Sequence, residues 1–100
     1  MRNYELVVIF DPNLEEEALD EELSKITSLI EKEKCVITDV DKWGIRKLAY
    51  PIKKQENGYY MIIYFKGNSS VVSELDRVNK INDKILRHLI VKSDESQGES

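Results

Sequence analysis

Apolar and polar residues alternate near the start of the chain, and this alternation predicts a β-strand over residues 3–10. One face of that strand, from Tyr4 to Phe10, is entirely apolar. The other face is also apolar beyond Glu5, which is typical of a strand in the middle of a sheet. The Asp-Pro-Asn sequence that follows ends the strand.

A helical period comes next and predicts a helix from residue 13 to about residue 34. Asn13 and Glu16 have the spacing of a capping box, and the acidic first turn suits the positive end of a helix. The apolar stripe of this helix consists of Leu19, Leu23, Ile26 and Ile30.

Two further strands are separated by Asn57-Gly58, a dipeptide typical of a two-residue hairpin turn. The second predicted strand opens over residues 36–40, is interrupted at Gly44 and continues over residues 45–54. The third covers residues 59–66. We therefore predict a β-hairpin in the middle of the chain.

The Gly-Asn-Ser-Ser loop at residues 67–70 predicts a serine N-cap for a second helix. The apolar face of that helix recurs from Val71 to Val78. A last strand is predicted over residues 85–92. Residues 93–100 are polar and acidic, and we expect them to form a disordered tail.

The predicted order is β-α-β-β-α-β in one domain, residues 1–92. This order indicates an α+β, ferredoxin-like split βαβ fold, with two helices on one face of a four-stranded antiparallel sheet. Its strand order is 4-1-3-2, which puts the first strand in the centre and the second at an edge. Pro51 is acceptable there because a proline at an edge removes no ladder hydrogen bond.

The formal net charge is −4, which argues against a generic nucleic-acid binder. The acidic residues concentrate, however, in residues 11–22 and in the tail, and the remainder of the chain is net basic. Cys35 is the only cysteine, so no intrachain disulfide can form. Because we find neither a signal sequence nor an apolar run of membrane-spanning length, we expect a cytoplasmic protein that binds no membrane.

Residues 42–54 form a basic island with five Lys or Arg and no Asp or Glu. With the turn at Asn57-Gly58, Tyr50 would lie opposite about Phe65, and Arg46 and Lys47 would project at the end of the sheet where the first strand starts. There we expect one basic rim of phosphate-binding side chains: Arg2, Arg46, Lys47, Lys66, Arg87 and Lys92.

The sequence offers little catalytic chemistry. His88 is the only histidine, and it lies in a different element from Cys35. We therefore predict no enzyme, no metal and no cofactor. The third strand matches the RNA-recognition pattern RNP1 at Gly58, Tyr59 and Tyr64, but residues 57, 60 and 61 depart from it, so stacking on the open sheet face is not assured.

Three stretches carry a family resemblance: RNYEL at residues 2–6, DKWGIRKLAYPIKK at residues 41–54 and NDKILRHLIVK at residues 82–92. With them, the chain resembles the bacterial small-subunit ribosomal protein six (S-six) family over residues 1–92. The resemblance implies a ferredoxin-like fold. It also implies binding to the central domain of the small-subunit rRNA, as a heterodimer with ribosomal protein eighteen. A basic partner would explain how an acidic protein holds RNA.

Together, the topology and the resemblance lead us to predict two sets of contact residues. The RNA-binding set is Arg2, Tyr4, Arg46, Lys47, Arg87 and Lys92. The partner-binding set is Trp43, Leu48, Ala49, Tyr50, Pro51 and Ile52, where a free edge strand could accept another chain.

Two alternatives share this layout. An oligomeric small-molecule sensor remains open, because fold alone does not determine function. An enzyme of the acylphosphatase layout is set aside, because residues 11–14 supply an acid where that layout needs an arginine.

Overall fold

The computed structural model describes residues 1–93. Of the predicted disordered tail, all but Ser93 lies outside the described residues. The elements, in chain order, are β1 (Arg2–Phe10), α1 (Glu16–Lys32), β2 (Val36–Ile52), β3 (Gln55–Gly67), α2 (Ser69–Lys80) and β4 (Ile85–Lys92).

The four strands form one antiparallel sheet in the order β2-β3-β1-β4. The predicted fold class and strand order are therefore confirmed. β1 lies in the centre, in agreement with its two apolar faces. β2 is an edge strand, so Pro51 occupies the position that its missing N–H requires.

The main core lies between one face of the sheet and the two helices. In β1, the alternate residues Leu6, Val8 and Phe10 have no exposed surface. Burying such a side chain contributes roughly 1.5–3 kcal/mol, so this layer dominates the stability of the fold. Its other buried members are Leu19, Ile26 and Ile30 of α1, Cys35, Met61, Ile63 and Phe65 of β3, Val71 and Leu75 of α2, and Ile85 of β4.

The start of α1 differs from the prediction. Its N-cap residue is Glu15, whose side chain makes no capping hydrogen bond within residues 1–93. The Asn13 backbone N–H and side-chain amide instead donate to Asp11 Oδ1, at 2.9 and 3.1 Å. The capping box predicted at Asn13 and Glu16 is therefore wrong, because Asp11 holds Asn13 in a turn ahead of the helix.

The start of α2 also differs by a residue or two. Asn68 is its N-cap, and the Asn68 side chain accepts a hydrogen bond from the Val71 N–H at 3.0 Å. The predicted serine cap is wrong because an asparagine at this position caps the helix at least as well. After the helix, β4 covers the predicted residues.

The hairpin turn is formed by Lys53 and Lys54, not by Asn57-Gly58. Ile52 pairs with Gln55, which leaves these two lysines as the connection. Their φ angles are 50° and 67°, the left-handed values that a type I′ hairpin turn requires at both positions. The turn predicted from the Asn-Gly dipeptide is therefore wrong, and β3 begins before it.

Close packing explains why Gly58 lies inside β3. A Cβ atom at this position would collide with Cγ2 of Ile9 on the neighbouring strand. Glycine is thus needed for the approach of two strands rather than for a turn. Because the turn lies at Lys53-Lys54, the register of β2 on β3 differs from the predicted one, and Phe65 pairs with Ile37 instead of with Tyr50.

The tip of the β2–β3 hairpin folds over the sheet face that points away from the helices. Leu48 is only 6% exposed because it packs against Ile9 and Leu86 in a second, smaller cluster. Lys53 Nζ also donates to the carbonyl oxygen of Ile85 at 3.2 Å. We call residues 46–58 the hairpin arm.

Candidate nucleic-acid interface

Several predicted RNA-binding residues lie on the side of the sheet where β1 starts and where β3 and β4 end. Arg2 pairs with Gly67 across β1 and β3, and Lys92 pairs with Tyr4 across β4 and β1. Arg2, Lys66 and Lys92 are all exposed. We call Arg2, Tyr4, Lys66 and Lys92 the strand-end group, and the topology brings its three basic residues together as predicted.

The remaining basic residues lie elsewhere, so the prediction of one continuous rim is wrong. Arg46 and Lys47 are on the hairpin arm, and Arg87 pairs with Ile9 near the far end of β1. Five residues of strand, about 16 Å, separate Ile9 from Tyr4. The shifted hairpin register moves Arg46 and Lys47 to the arm, whereas Arg87 lies there because of the pairing of β4 with β1. We call Arg46, Lys47 and Arg87 the arm group.

Arg87 is held by the arm. Its guanidinium nitrogen Nη1 donates to the hydroxyl oxygen of Tyr50. Its Cζ atom also lies 6.0 Å from the centre of the Tyr50 ring, a cation–π distance. This contact links β4 to the exposed side of the arm, so a predicted RNA residue and a predicted partner residue touch each other.

Trp43 adds an aromatic surface beside the arm. Its indole N–H donates to Asp41 Oδ2 at 2.9 Å, and Arg46 Cζ lies 5.6 Å from its ring centre. Trp43 remains 47% exposed. The indole is therefore oriented by two neighbours and still presents a large apolar surface.

The predicted partner segment presents only some of its residues. Ala49, Tyr50 and Pro51 are exposed, whereas Leu48 is buried and Ile52 is half-buried in the second cluster. Leu48 and Ile52 therefore support the arm from beneath. The three exposed residues are available for contact with another molecule.

Tyr4 has a largely structural position. Its ring stacks on Phe65 with centroids 5.5 Å apart and an interplanar angle of 24°. It also packs against the main core. One face of the ring is thus occupied within the protein, and the side chain as a whole is half-buried.

Carboxylates surround Tyr64 on the sheet face opposite the helices, a feature that our sequence reasoning missed. Glu5 and Asp39 both pair with Tyr64, and Asp41 lies two residues further along β2. Burial, followed by these three carboxylates, raises the pKa of the Tyr64 hydroxyl. The spacing of Asp39 and Asp41, two residues apart in a strand, is the signal that could have revealed a shared face.

The residues with catalytic potential have structural partners. His88 Nε2 lies 2.8 Å from Asp76 Oδ1, and this hydrogen bond holds the pKa of the Asp76 carboxyl below its ordinary value. Cys35 is buried in the core, with its Sγ 3.6 Å from the Glu33 carbonyl oxygen.

Residues 1–93 contain no group of three or more His, Cys, Asp or Glu that could hold a metal ion. In the same range, none of the helices is long and apolar enough to cross a membrane.

Comparison with known proteins places this chain in a family. Residues 3–92 match the family described as Ribosomal protein S6. The chain is 48% identical to small ribosomal subunit protein bS6 of Clostridium novyi, over 91% of this chain and 96% of that protein. It is 46% identical to the bS6 protein of Heliobacterium modesticaldum, over 95% of this chain and 99% of that one.

The structural comparison agrees. The crystal structure of 30S ribosomal protein S6 from Thermotoga maritima superimposes with a TM-score of 0.89, covers 96% of this chain and 91% of that one, and shares 31% sequence identity. These comparisons give the sensor alternative no support. The chain belongs to the ribosomal protein S6 family, a family of ribosomal proteins rather than of enzymes.

Proposed function

We propose that this chain is a structural component of the bacterial small ribosomal subunit, located on ribosomes in the cytoplasm. It binds the central domain of the small-subunit rRNA together with ribosomal protein eighteen. The observation that carries this proposal is the family match, which spans residues 3–92. The two separated basic groups on an otherwise acidic protein support it.

The proposed RNA surface uses both basic groups. Arg2 and Lys92 neutralise phosphates at the strand end, where Tyr4 also contacts the RNA. Arg46, Lys47 and Arg87 do so at the arm. Because the two groups are at least about 16 Å apart, they contact separate stretches of the RNA backbone rather than one phosphate cluster.

The proposed partner surface is formed by residues of the edge strand β2, next to the RNA contacts of the arm group. Trp43, Ala49, Tyr50 and Pro51 contact the partner directly, and Leu48 and Ile52 hold the segment in place. Aromatic side chains in a partly exposed, pre-oriented state are typical anchors of protein interfaces. A basic partner bound here adds the positive charge that this chain lacks.

A filter-binding titration with a central-domain rRNA fragment tests the proposal. We expect weak binding by this chain alone, tighter binding when ribosomal protein eighteen is added, and loss of affinity as salt rises. Replacing Arg2 with Gln should reduce the log–log salt slope by about 0.7–0.9, which corresponds to one phosphate contact.

Lys80→Gln provides the matched control, because Lys80 is an exposed residue at the end of α2 and its replacement removes the same charge. It should leave the salt slope unchanged. Binding that is equally tight with and without the partner, or that does not respond to salt, contradicts the proposal.

A further inference from the structure

Tyr50 and Arg87 lie on different elements and contact each other in two ways. The Arg87 guanidinium donates to the Tyr50 hydroxyl oxygen, and the same guanidinium lies beside the Tyr50 ring. Tyr50 belongs to the hairpin arm and Arg87 to β4. Both side chains are nevertheless exposed, with Tyr50 at 55%. The guanidinium is therefore held by the protein while it still faces the surroundings.

The backbone that carries Tyr50 is itself fixed. Leu48, two residues before it, is buried against Ile9 and Leu86. Pro51 follows directly and restricts the backbone through its own fixed φ. Beyond it, Lys53 Nζ donates to the carbonyl oxygen of Ile85, two residues before Arg87. The arm is thus attached to β4 and to its neighbours on both sides of Tyr50, which makes the Tyr50 hydroxyl a firm anchor.

Such an anchor matters for an arginine that binds phosphate. A free arginine side chain samples many rotamers and loses that freedom when it binds a ligand. The Tyr50 hydroxyl restrains the Arg87 guanidinium before any ligand arrives. A guanidinium has five N–H donors, so one bond to Tyr50 leaves enough of them for a bidentate contact with a phosphate. Arg87 is therefore oriented in advance and still able to bind.

A second arginine of the arm group is held in a similar way. Arg46 Cζ lies over the ring of Trp43, whose indole N–H is itself bonded to Asp41. Within residues 1–93, both cation–π contacts involve arginines of the arm group, whereas Arg2 of the strand-end group has none. Oriented guanidinium groups are thus a property of the arm and not of the basic residues in general.

We propose that Tyr50 is a positioning residue for RNA binding: its hydroxyl holds the Arg87 guanidinium in the orientation in which the remaining N–H groups bind a phosphate of the RNA backbone. This inference rests on the proposed function, since it requires that the arm group contacts RNA. Tyr50 neutralises no phosphate itself. Its effect is to lower the conformational cost of the Arg87 contact without changing the number of phosphates that are bound.

A filter-binding titration with a central-domain rRNA fragment, at saturating ribosomal protein eighteen, tests the proposal. Tyr50→Phe keeps the ring and removes the hydrogen bond. It should weaken RNA binding about threefold to tenfold, with an unchanged log–log salt slope because all charges remain. Arg87→Gln should instead lower the slope by about 0.7–0.9. In the Arg87→Gln background, Tyr50→Phe should have no further effect.

The side-chain order of Arg87 gives a measurement that does not depend on RNA. In the free chain, the NMR order parameter of the Arg87 Nε–H bond should fall in Tyr50→Phe. Tyr60→Phe is the matched control, because Tyr60 lines the same small cavity as Tyr50 and Arg87. It should change neither the order parameter nor the RNA affinity.

The possible failures are distinguishable. Full affinity in Tyr50→Phe, when Arg87→Gln weakens binding, would overturn the positioning role and leave the proposed function intact. An unchanged order parameter, or a loss in Tyr50→Phe that persists in the Arg87→Gln background, would also overturn the positioning role. Unchanged affinity in Arg87→Gln would show that Arg87 does not contact RNA, which removes this part of the proposed function together with the inference.

Discussion

The two ends of the sheet differ in how they collect positive charge. At the strand end, Arg2 and Lys92 meet because the ends of neighbouring strands must meet in this topology. At the other end, Arg46 and Lys47 are carried by an arm whose position depends on a few tightly packed atoms around Gly58. The first arrangement follows from strand order, whereas the second follows from packing.

This difference also separates the proposed roles. The strand-end group lies on three paired strands, β1, β3 and β4, whose pairing alone holds it together. In the arm group, Arg87 contacts Tyr50, which belongs to the proposed partner segment. RNA binding at the arm should therefore respond to the partner more strongly than RNA binding at the strand end does.

The largest effect is expected from displacing the arm. In Gly58→Val, the added side chain collides with Ile9, and the free energy of unfolding should fall by about 2–3 kcal/mol. Urea unfolding measures this change. The neighbouring exposed variant Asn57→Ala should change stability by less than about 0.5 kcal/mol. A larger loss in Asn57→Ala than in Gly58→Val would restore Asn57-Gly58 as the hairpin turn.

The next effect concerns RNA affinity at the two ends. Arg2→Gln/Lys92→Gln and Arg46→Gln/Lys47→Gln should each weaken rRNA binding, by about tenfold for each lost phosphate contact at 0.1 M salt. The strand-end loss should be the same with and without ribosomal protein eighteen. The arm loss should grow when the partner is present. Lys80→Glu, which changes the net charge by the same amount, is the control. Identical partner dependence in both double variants would remove the distinction between the ends.

A smaller effect is expected at the turn itself. Lys54 has a φ of 67°, a left-handed conformation that costs a side-chain-bearing residue about 1 kcal/mol. Lys54→Gly should therefore raise the free energy of unfolding by up to about that amount. The lysine control is Lys80→Gly, which should destabilise α2 because it introduces glycine into a helix. Destabilisation by Lys54→Gly would show that Lys54 is not a turn residue.

The smallest effect concerns acid stability at the end of the sheet that carries the arm. Burial alone would raise the pKa of Glu22, but the hydrogen bonds from Asn82 and Lys25 and the charges of Lys25 and Lys84 outweigh burial and hold it below the ordinary value of 4.5. The stabilisation is thus present above pH 4.5 and is lost as the pH falls through the lower folded-state pKa.

Glu22→Gln should flatten this part of the pH dependence, as measured by urea unfolding between about pH 7 and pH 3. The side chain of Glu22 is 2% exposed, so the variant keeps a buried hydrogen bond to Asn82 while losing the charge. Exposed Glu17→Gln in the same helix is the control. An unchanged pH profile in Glu22→Gln would show that Glu22 contributes no ionised-state stabilisation.

Much of the fold was predictable because it depends on short-range patterns. The alternation in residues 3–10 placed β1 in the centre of the sheet, and the helical stripe from Leu19 to Ile30 identified the buried face of α1. Pro51 correctly indicated an edge strand. These signals work because each reflects the immediate environment of one residue.

The errors arose where two local rules competed or where a distant contact decided. Asn13 could cap a helix, but its backbone N–H donates a hydrogen bond to Asp11 in a turn ahead of α1. Asn68 caps α2 in place of a serine. Asn57-Gly58 has the composition of a turn, yet Gly58 is needed for close packing on Ile9. Lys53 and Lys54 form the turn although lysine has no preference for left-handed angles.

By itself, the sequence determined the fold class, the strand order, the placement of Arg2, Lys66 and Lys92 at one end of the sheet and the family resemblance. Periodicity and strand order are enough for these, because they do not depend on the register of the hairpin. Only the tertiary structure decided where Arg46 and Lys47 lie and that Glu5, Asp39 and Asp41 surround Tyr64. The reason is that register depends on whether side chains from separate strands fit together, and Ile9, Leu48 and Gly58 meet only in the folded protein.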